Sequence, residues 1–196
     1  MKTIEFDKKI NGKRQAAFVT LYALDSKPWL NYQGLPDEKR QRVVPTCVMI
    51  NRYDGKMGFV GGFVEPKESL EEAVRREVKE EIGYSISLPL KEVVAHELDN
   101  ITTYSFALKL PYLELLRIQQ EALKAPHFGS ELTGVFLAHL YDYGGQRGLV
   151  NLMGNNLAPS VREEMMHFLL QTDIFSKEQL SVLCRRAHFD LDVSLT

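Results

Sequence analysis

Glu77, Glu80 and Glu81 crowd two turns of one charged segment, and theirs are the residue types and spacing best suited to chemistry in this chain. They lie in GGFVEPKESLEEAVRREVKEEIGY, residues 61–84. At about 100° per residue, Leu70, Ala73, Val74 and Val78 form one apolar stripe. Glu71, Glu72 and Lys79 project away from it or to its edge, Glu80 sits at its margin, and Glu77 and Glu81 fall inside it. Like charges four residues apart repel, and an ion withdrawn from water costs on the order of several kcal/mol. A single misplaced glutamate would mean only that the stripe runs out into solvent. Three together point to a bound divalent cation. Clustered hard oxygen ligands suit Mg2+, with Mn2+ as the alternative, and leave room for water and substrate phosphate. Such a cation also removes the repulsion between a carboxylate cluster and a phosphate.

The segments around these residues must hold them in place. Ser69 and Glu72 form a capping-box pattern, which predicts a helix starting near Leu70, and Gly83 is placed to end it. Upstream, Asn51-Arg52-Tyr53-Asp54-Gly55 carries a turn signal leading into KMGFVGGFV, a strand that delivers the helix. AAFVTLYAL (16–24) and VVPTCVMI (43–50) read as buried strands. LKEVVAHEL and ITTYSFALKL read as a hairpin, PYLELLRIQQEAL as a helix with proline near its first turn, and ELTGVFLAHL as a further strand. Two C-terminal helices each open on a capping-box pattern, Ser160 with Glu163 and Ser176 with Gln179. No internal repeat or low-complexity linker interrupts the order. These elements predict an α/β fold, a mixed sheet with helices on its faces, as one domain over residues 1–196.

Composition sets the outer limits. The chain has 196 residues and a formal net charge of −2, which gives no general nucleic-acid signal. No apolar run approaches the roughly 20 residues that span a bilayer, so no membrane partner is expected. MKTIEFDKKINGKRQ lacks a signal-peptide core. Cys47 and Cys184 lie in apolar patterns without metal-ligand spacing, as packed thiols in a reducing compartment would. The expected location is the cytoplasm, or the nucleus in a eukaryote.

Gly62, five residues, Glu68, seven residues, then Arg76-Glu77-Val78-Lys79-Glu80-Glu81-Ile82-Gly83 resembles the Nudix box in full over residues 62–84; only Tyr84 departs, at a position more often aliphatic. The resemblance implies an α/β/α sandwich and an enzyme that cleaves a diphosphate linked to another group, usually a nucleoside derivative. It implies that Glu77, Glu80 and Glu81 bind metal, that Gly61 offers a carbonyl oxygen to it, and that Glu68 and Arg76 brace the loop against the helix. RYDGKMGFVGGFV, and more weakly NNLAPSVREEMMHFLLQ, resembles the snoRNA-decapping and inosine-diphosphate-hydrolysing branch. Where that branch has a purine-contacting histidine this chain has Phe18, and where it has a glutamine near the base this chain has Glu164. Both departures point away from an inosine preference. The NADH signature and the downstream proline of many ADP-ribose hydrolases are missing.

Further candidates surround the box. Phe18, Phe59 and Phe63 could stack on a base or fill the sheet core, and Phe59 has the best-matched position. Glu164 could accept a base N–H or be an exposed helix acid. Glu131, ahead of a strand and after Gly129, is the candidate general base; a box glutamate is the other choice. His96 and His127 could approach the site, although structural roles suit both. Lys39-Arg40-Gln41-Arg42 could track RNA, but neighbouring acids weaken its field. The favoured function is hydrolysis of a nucleoside di- or triphosphate or a related nucleotide. Capped RNA is the alternative substrate, and a homodimer is an open arrangement. A non-catalytic nucleotide-sensing domain is disfavoured because the box keeps its acids.

Overall fold

The computed structural model of the chain describes residues 1–6, 12–143 and 147–188. Residues 7–11, part of the N-terminal stretch read above, lie outside that description, as do 144–146 and 189–196.

Alternation of large apolar residues through the central strands builds one mixed sheet with two buried faces. The strands are β1 (Lys2–Ile4), β2 (Arg14–Ala23), β3 (Thr46–Arg52), β4 (Met57–Gly58), β5 (Val60–Phe63), β6 (Lys91–Glu97), β7 (Ile101–Lys109) and β8 (Leu132–His139). Their order is β1-β6-β7-β2-β3-β4, with β5 on β2 and β8 on β3. β2 and β7 run parallel, and the other pairs are antiparallel. Ala17, Val19 and Leu21 of β2 point into one core, whereas Phe18 and Tyr22 pack against the other.

Helices cover both faces. On the first lie α2 (Leu70–Ile82), through Ala73, Val74, Val78 and Ile82, and α3 (Tyr112–Glu121), through Leu115 and Ile118. On the second lie α4 (Leu149–Met153), α5 (Val161–Gln171) and α6 (Lys177–Arg186), contributing Leu149, Phe168 and Leu183 among others. A one-turn helix, α1 (Asp37–Arg40), precedes β3, and a 3-10 turn at Ala122–Lys124 extends α3. This is the expected α/β/α sandwich. Both cysteines are free and buried. No helix among the described residues is long and apolar enough to cross a membrane.

Several local expectations are corrected. KMGFVGGFV does not form one strand. It breaks at Phe59, because Met57–Gly58 pairs with β3 while Val60–Phe63 pairs with β2. The Ser160–Glu163 capping box does not form. Ser160 adopts a left-handed conformation, φ 68°, and its hydroxyl bonds the side chain of Glu164 and the carbonyl of Pro159. The Ser176–Gln179 box does form. β1, α1 and α4 had no clear periodic signal.

Candidate active site

The acidic cluster begins with the way α2 meets β5. Ser69 and Glu72 complete the predicted capping box, and Gly83, φ 72°, ends the helix in the left-handed region. With both ends fixed, the helical period turns Glu77 and Glu81 inward, where they are 8% and 5% exposed. Two glycines in β5 make room for them. A Cβ on Gly62 would lie 2.4 Å from Glu77 Oε1. One on Gly61, φ 142°, would lie 2.2 Å from the Ala17 carbonyl oxygen. The Gly61 N–H donates to Glu81 Oε2 at 2.9 Å.

Arg76 ties the approach loop to this helix. Its Nε and Nη2 donate to the two carboxylate oxygens of Glu68 at 2.9 and 3.1 Å, and Nη2 also reaches the Phe63 carbonyl at 2.9 Å. Nη1 donates to Glu77 Oε1 at 2.9 Å and Glu80 Oε2 at 3.0 Å. The pairing with Arg76 holds the Glu68 carboxyl below its usual range.

Glu77, Glu81 and Glu131 converge, each offering a carboxylate oxygen within 4.8 Å of the others'. Glu80, turned toward Arg76, stands outside that trio. Burial pushes Glu81 up to about 8, and the neighbouring Glu77 and Glu131 add to the rise while the Gly61 N–H and Arg52 oppose it. Glu77 is also raised, chiefly by burial, with Arg76 acting against the shift. Buried carboxylates held near one another without full compensation are the donor set a hard divalent cation satisfies. Glu131 is half-exposed, and its Oε2 lies 3.4 Å from His127 Nδ1.

A cleft of about 520 Å³ opens over this cluster. Phe18, Phe59, Phe63 and Glu164 all line it. Phe59 is 2% exposed and packs in the second core, so although it lines the cleft its role is the sheet-core one rather than an open stacking face. Phe18 is partly buried. Phe63 is 44% exposed, which rules out the sheet-core reading, and the Arg14 guanidinium lies 3.4 Å from its ring centroid. Glu164 is 1% exposed, so the exposed-acid reading fails: α5 packs over the sheet and carries this side chain inward. Ser160 Oγ donates to Glu164 Oε1 at 2.7 Å, whereas Oε2 has no hydrogen bond of good geometry. The Thr103 hydroxyl, also buried without a well-formed bond, stands close enough to favour the charged form. Burial dominates and pushes Glu164 up to about 7.

Two cleft residues were not singled out in the sequence as more than parts of a turn. Arg52 lines the cleft, pairs with Asp54 at 3.2 Å and stabilises charged Glu81. Tyr53 lines it at 68% exposure. Only their position at the end of a buried strand and just beyond it could have marked them. His96 is buried on β6 beside His167, with ring centroids 5.4 Å apart, and does not line the cleft. In the basic run, Arg40 pairs with Asp37 and Arg42 lies over Tyr141.

The architecture and the box helix have counterparts in known proteins. A MutT/nudix family protein from Enterococcus faecalis superposes with a TM-score of 0.57 at 14% identity, covering 90% of this chain and 69% of that one, a likeness of fold. The U8 snoRNA-decapping enzyme of Xenopus laevis is 27% identical over 150 residues, 72% of this chain and 71% of its own length. That of Bos taurus is 26% identical over 197 residues, 92% and 97% of the two chains. The sandwich, the complete box and these similarities define a Nudix hydrolase. Within that class the chain belongs to the Nudt16-like family, described as U8 snoRNA-decapping enzyme-like, whose model matches residues 15–175.

Proposed function

We propose that the chain hydrolyses the diphosphate linkage of a nucleotide-type substrate in the cleft, with Glu77, Glu81 and the Gly61 carbonyl as the first metal ligands. The observation that carries this reading is the convergence of Glu77, Glu81 and Glu131 at the cleft wall. A divalent cation held there, Mg2+ in preference to Mn2+, would supply neutralisation of the diphosphate and lower the pKa of an attacking water. Glu80 would join the ligand set by exchanging its 3.0 Å contact with Arg76 Nη1 for the cation. Glu131 takes a proton from the water as oxygen attacks phosphorus, and the bond to the bridging oxygen breaks. Its partial exposure and the adjoining His127 suit a group that must pass that proton on. Arg52 holds the phosphates, Phe18 and Phe63 flank the base, and Glu164 accepts an N–H from its edge through the unoccupied Oε2.

The first reading of the substrate is a nucleoside di- or triphosphate or a related nucleotide derivative. Capped RNA is the second reading, favoured by the activity in the names of the relatives. Chromatography of products from nucleoside di- and triphosphates, dinucleoside polyphosphates, ADP-ribose and capped RNA, each with Mg2+, tests both. One dominant conversion abolished by chelator is expected, and Glu81→Gln or Glu77→Gln should lower it about 100-fold or more. Undiminished turnover in both variants would refute the assignment. A homodimer is a separate, open arrangement that light scattering reads directly.

A further inference from the structure

Glu131 reaches the cleft from a turn that two other elements hold. Residues 127–131 close on themselves: the His127 carbonyl accepts from the Ser130 N–H at 3.2 Å, the Glu131 N–H at 3.1 Å and Ser130 Oγ at 3.0 Å. Gly129, φ 90°, lets the chain reverse within that span, and its N–H donates to the Leu132 carbonyl at 2.8 Å. On one side the His127 N–H donates to the Glu80 carbonyl at 2.9 Å, which fastens the turn to α2. On the other the Tyr53 N–H donates to the Glu131 carbonyl at 3.0 Å, which fastens it to the chain just beyond β3. The backbone at both ends of the turn is thereby fixed relative to Glu77 and Glu81.

The Glu131 carboxylate has no such frame of its own. Its side chain is 51% exposed, and among the described residues its one ion-pair partner is His127, whose Nδ1 lies 3.4 Å from Oε2. His127 has the complementary feature. Its side chain is 34% exposed, yet Nδ1 is shut off from water and has no hydrogen bond of good geometry. A buried polar atom is costly to leave unpaired, and Glu131 Oε2 is the acceptor beside this one. An ionised carboxylate only accepts, so a bare Nδ1 would set lone pair against lone pair. The neutral ring that suits this place carries its proton on Nδ1. A movement of about a few tenths of an ångström by the exposed glutamate closes the contact to an ordinary hydrogen bond. His127 is not among the residues that line the cleft, so it acts on the site through Glu131.

We propose that His127 is a positioning residue for the general base: its Nδ1–H holds Glu131 Oε2 and so aims the carboxylate at the attacking water. Oε1 is left to take the proton of that water as the new bond from oxygen to phosphorus forms and the bond to the bridging oxygen breaks. The proposal deepens the functional reading above and rests on its assignment of Glu131 as the base. The clamped turn fixes where the glutamate starts, and the imidazole fixes where it ends. Without the ring the carboxylate keeps its place in the chain but samples several rotamers, few of them productive.

The test compares wild type, His127→Ala, His127→Asn, Glu131→Ala and the His127→Ala/Glu131→Ala double variant, with Mg2+ and the member of the substrate panel above that wild type converts fastest. His127→Ala should lower kcat roughly 10- to 100-fold while KM and Mn2+ affinity stay near wild type. His127→Asn, whose amide nitrogen stands where Nδ1 does, should recover most of that loss. The double variant should be no slower than Glu131→Ala alone, because the ring acts only through the carboxylate. Nitrogen-15 spectra of the imidazole at alkaline pH, which do not depend on turnover, should report the Nδ1–H tautomer in wild type and lose its excess in Glu131→Ala. An Nε2–H ring in wild type, losses that multiply in the double variant, or a wild-type kcat in His127→Ala beside a slowed Glu131→Ala each overturn the positioning role alone. A wild-type kcat in Glu131→Ala removes the base itself, and the positioning role with it.

Discussion

Glu81 and Glu164 are both buried acids raised by burial, and the proposed function gives them different work. Glu81 has two carboxylates for neighbours, which calls for a cation. Glu164 has the hydroxyls of Ser160 and Thr103, which suit recognition of a neutral ring. Glu164 also makes a prediction about stability. Its carboxyl titrates at about 7 when folded against 4.5 as the reference for the open chain, so the folded state binds the extra proton between those values. Stability from this group is present below pH 4.5 and is lost as pH rises through 7. The shift corresponds to on the order of 3 kcal/mol. Urea unfolding at pH 5 and pH 8 should show wild type losing stability across the interval and Glu164→Gln losing measurably less. The residue-level site was legible where helix period decides orientation, as for Glu77 and Glu81. It was not legible for Arg52 and Tyr53, because a turn signal says where the chain reverses and not which side chain then overhangs a cleft. The inward position of Glu164 likewise follows from how α5 docks, which no local pattern states.

At the scale of elements, β5 and α2 act as one device. Gly61 and Gly62 are adjacent, but the space each preserves belongs to a different neighbour. A side chain at Gly61 would meet the β2 backbone and would have to adopt φ 142°, a conformation nearly closed to other residues. A side chain at Gly62 would meet only the end of the Glu77 carboxylate, which can swing aside. Gly61→Ala should therefore destabilise the fold by about 1–3 kcal/mol or more by strain alone. Gly62→Ala should unfold close to wild type yet bind metal more weakly. Thermal melts paired with metal titrations separate the two outcomes, and equal loss of stability in both variants would contradict this division. The α2 boundaries were readable because Ser69, Glu72 and Gly83 are local signals. The break at Phe59 was not, because one half of that segment pairs with β3 and the other with β2, a change of partner set by tertiary contacts. Ser160 shows a similar limit: its residue type and spacing promise a cap, but its left-handed backbone gives the hydroxyl to Glu164 instead.

For the whole molecule, one sheet supplies a face to both cores, so the described parts should unfold as one unit. Val78→Ala in the first core and Leu183→Ala in the second should each lower the same single transition; Leu→Ala substitutions in cores cost about 2–5 kcal/mol. Two separate transitions would show independent domains. Saturating Mg2+ should raise that transition as well. At 100 times its dissociation constant a ligand contributes about 2.7 kcal/mol, which for a chain of this size is roughly 5–10 °C. The most direct measurement is binding of Mn2+, read from the electron paramagnetic resonance signal of the free ion, in wild type and in Glu81→Gln. Wild type should deplete the free signal, with Mg2+ competing for the ion, and Glu81→Gln should leave most of the Mn2+ in solution. Equal Mn2+ affinity in the two proteins would contradict a metal centre built on this carboxylate.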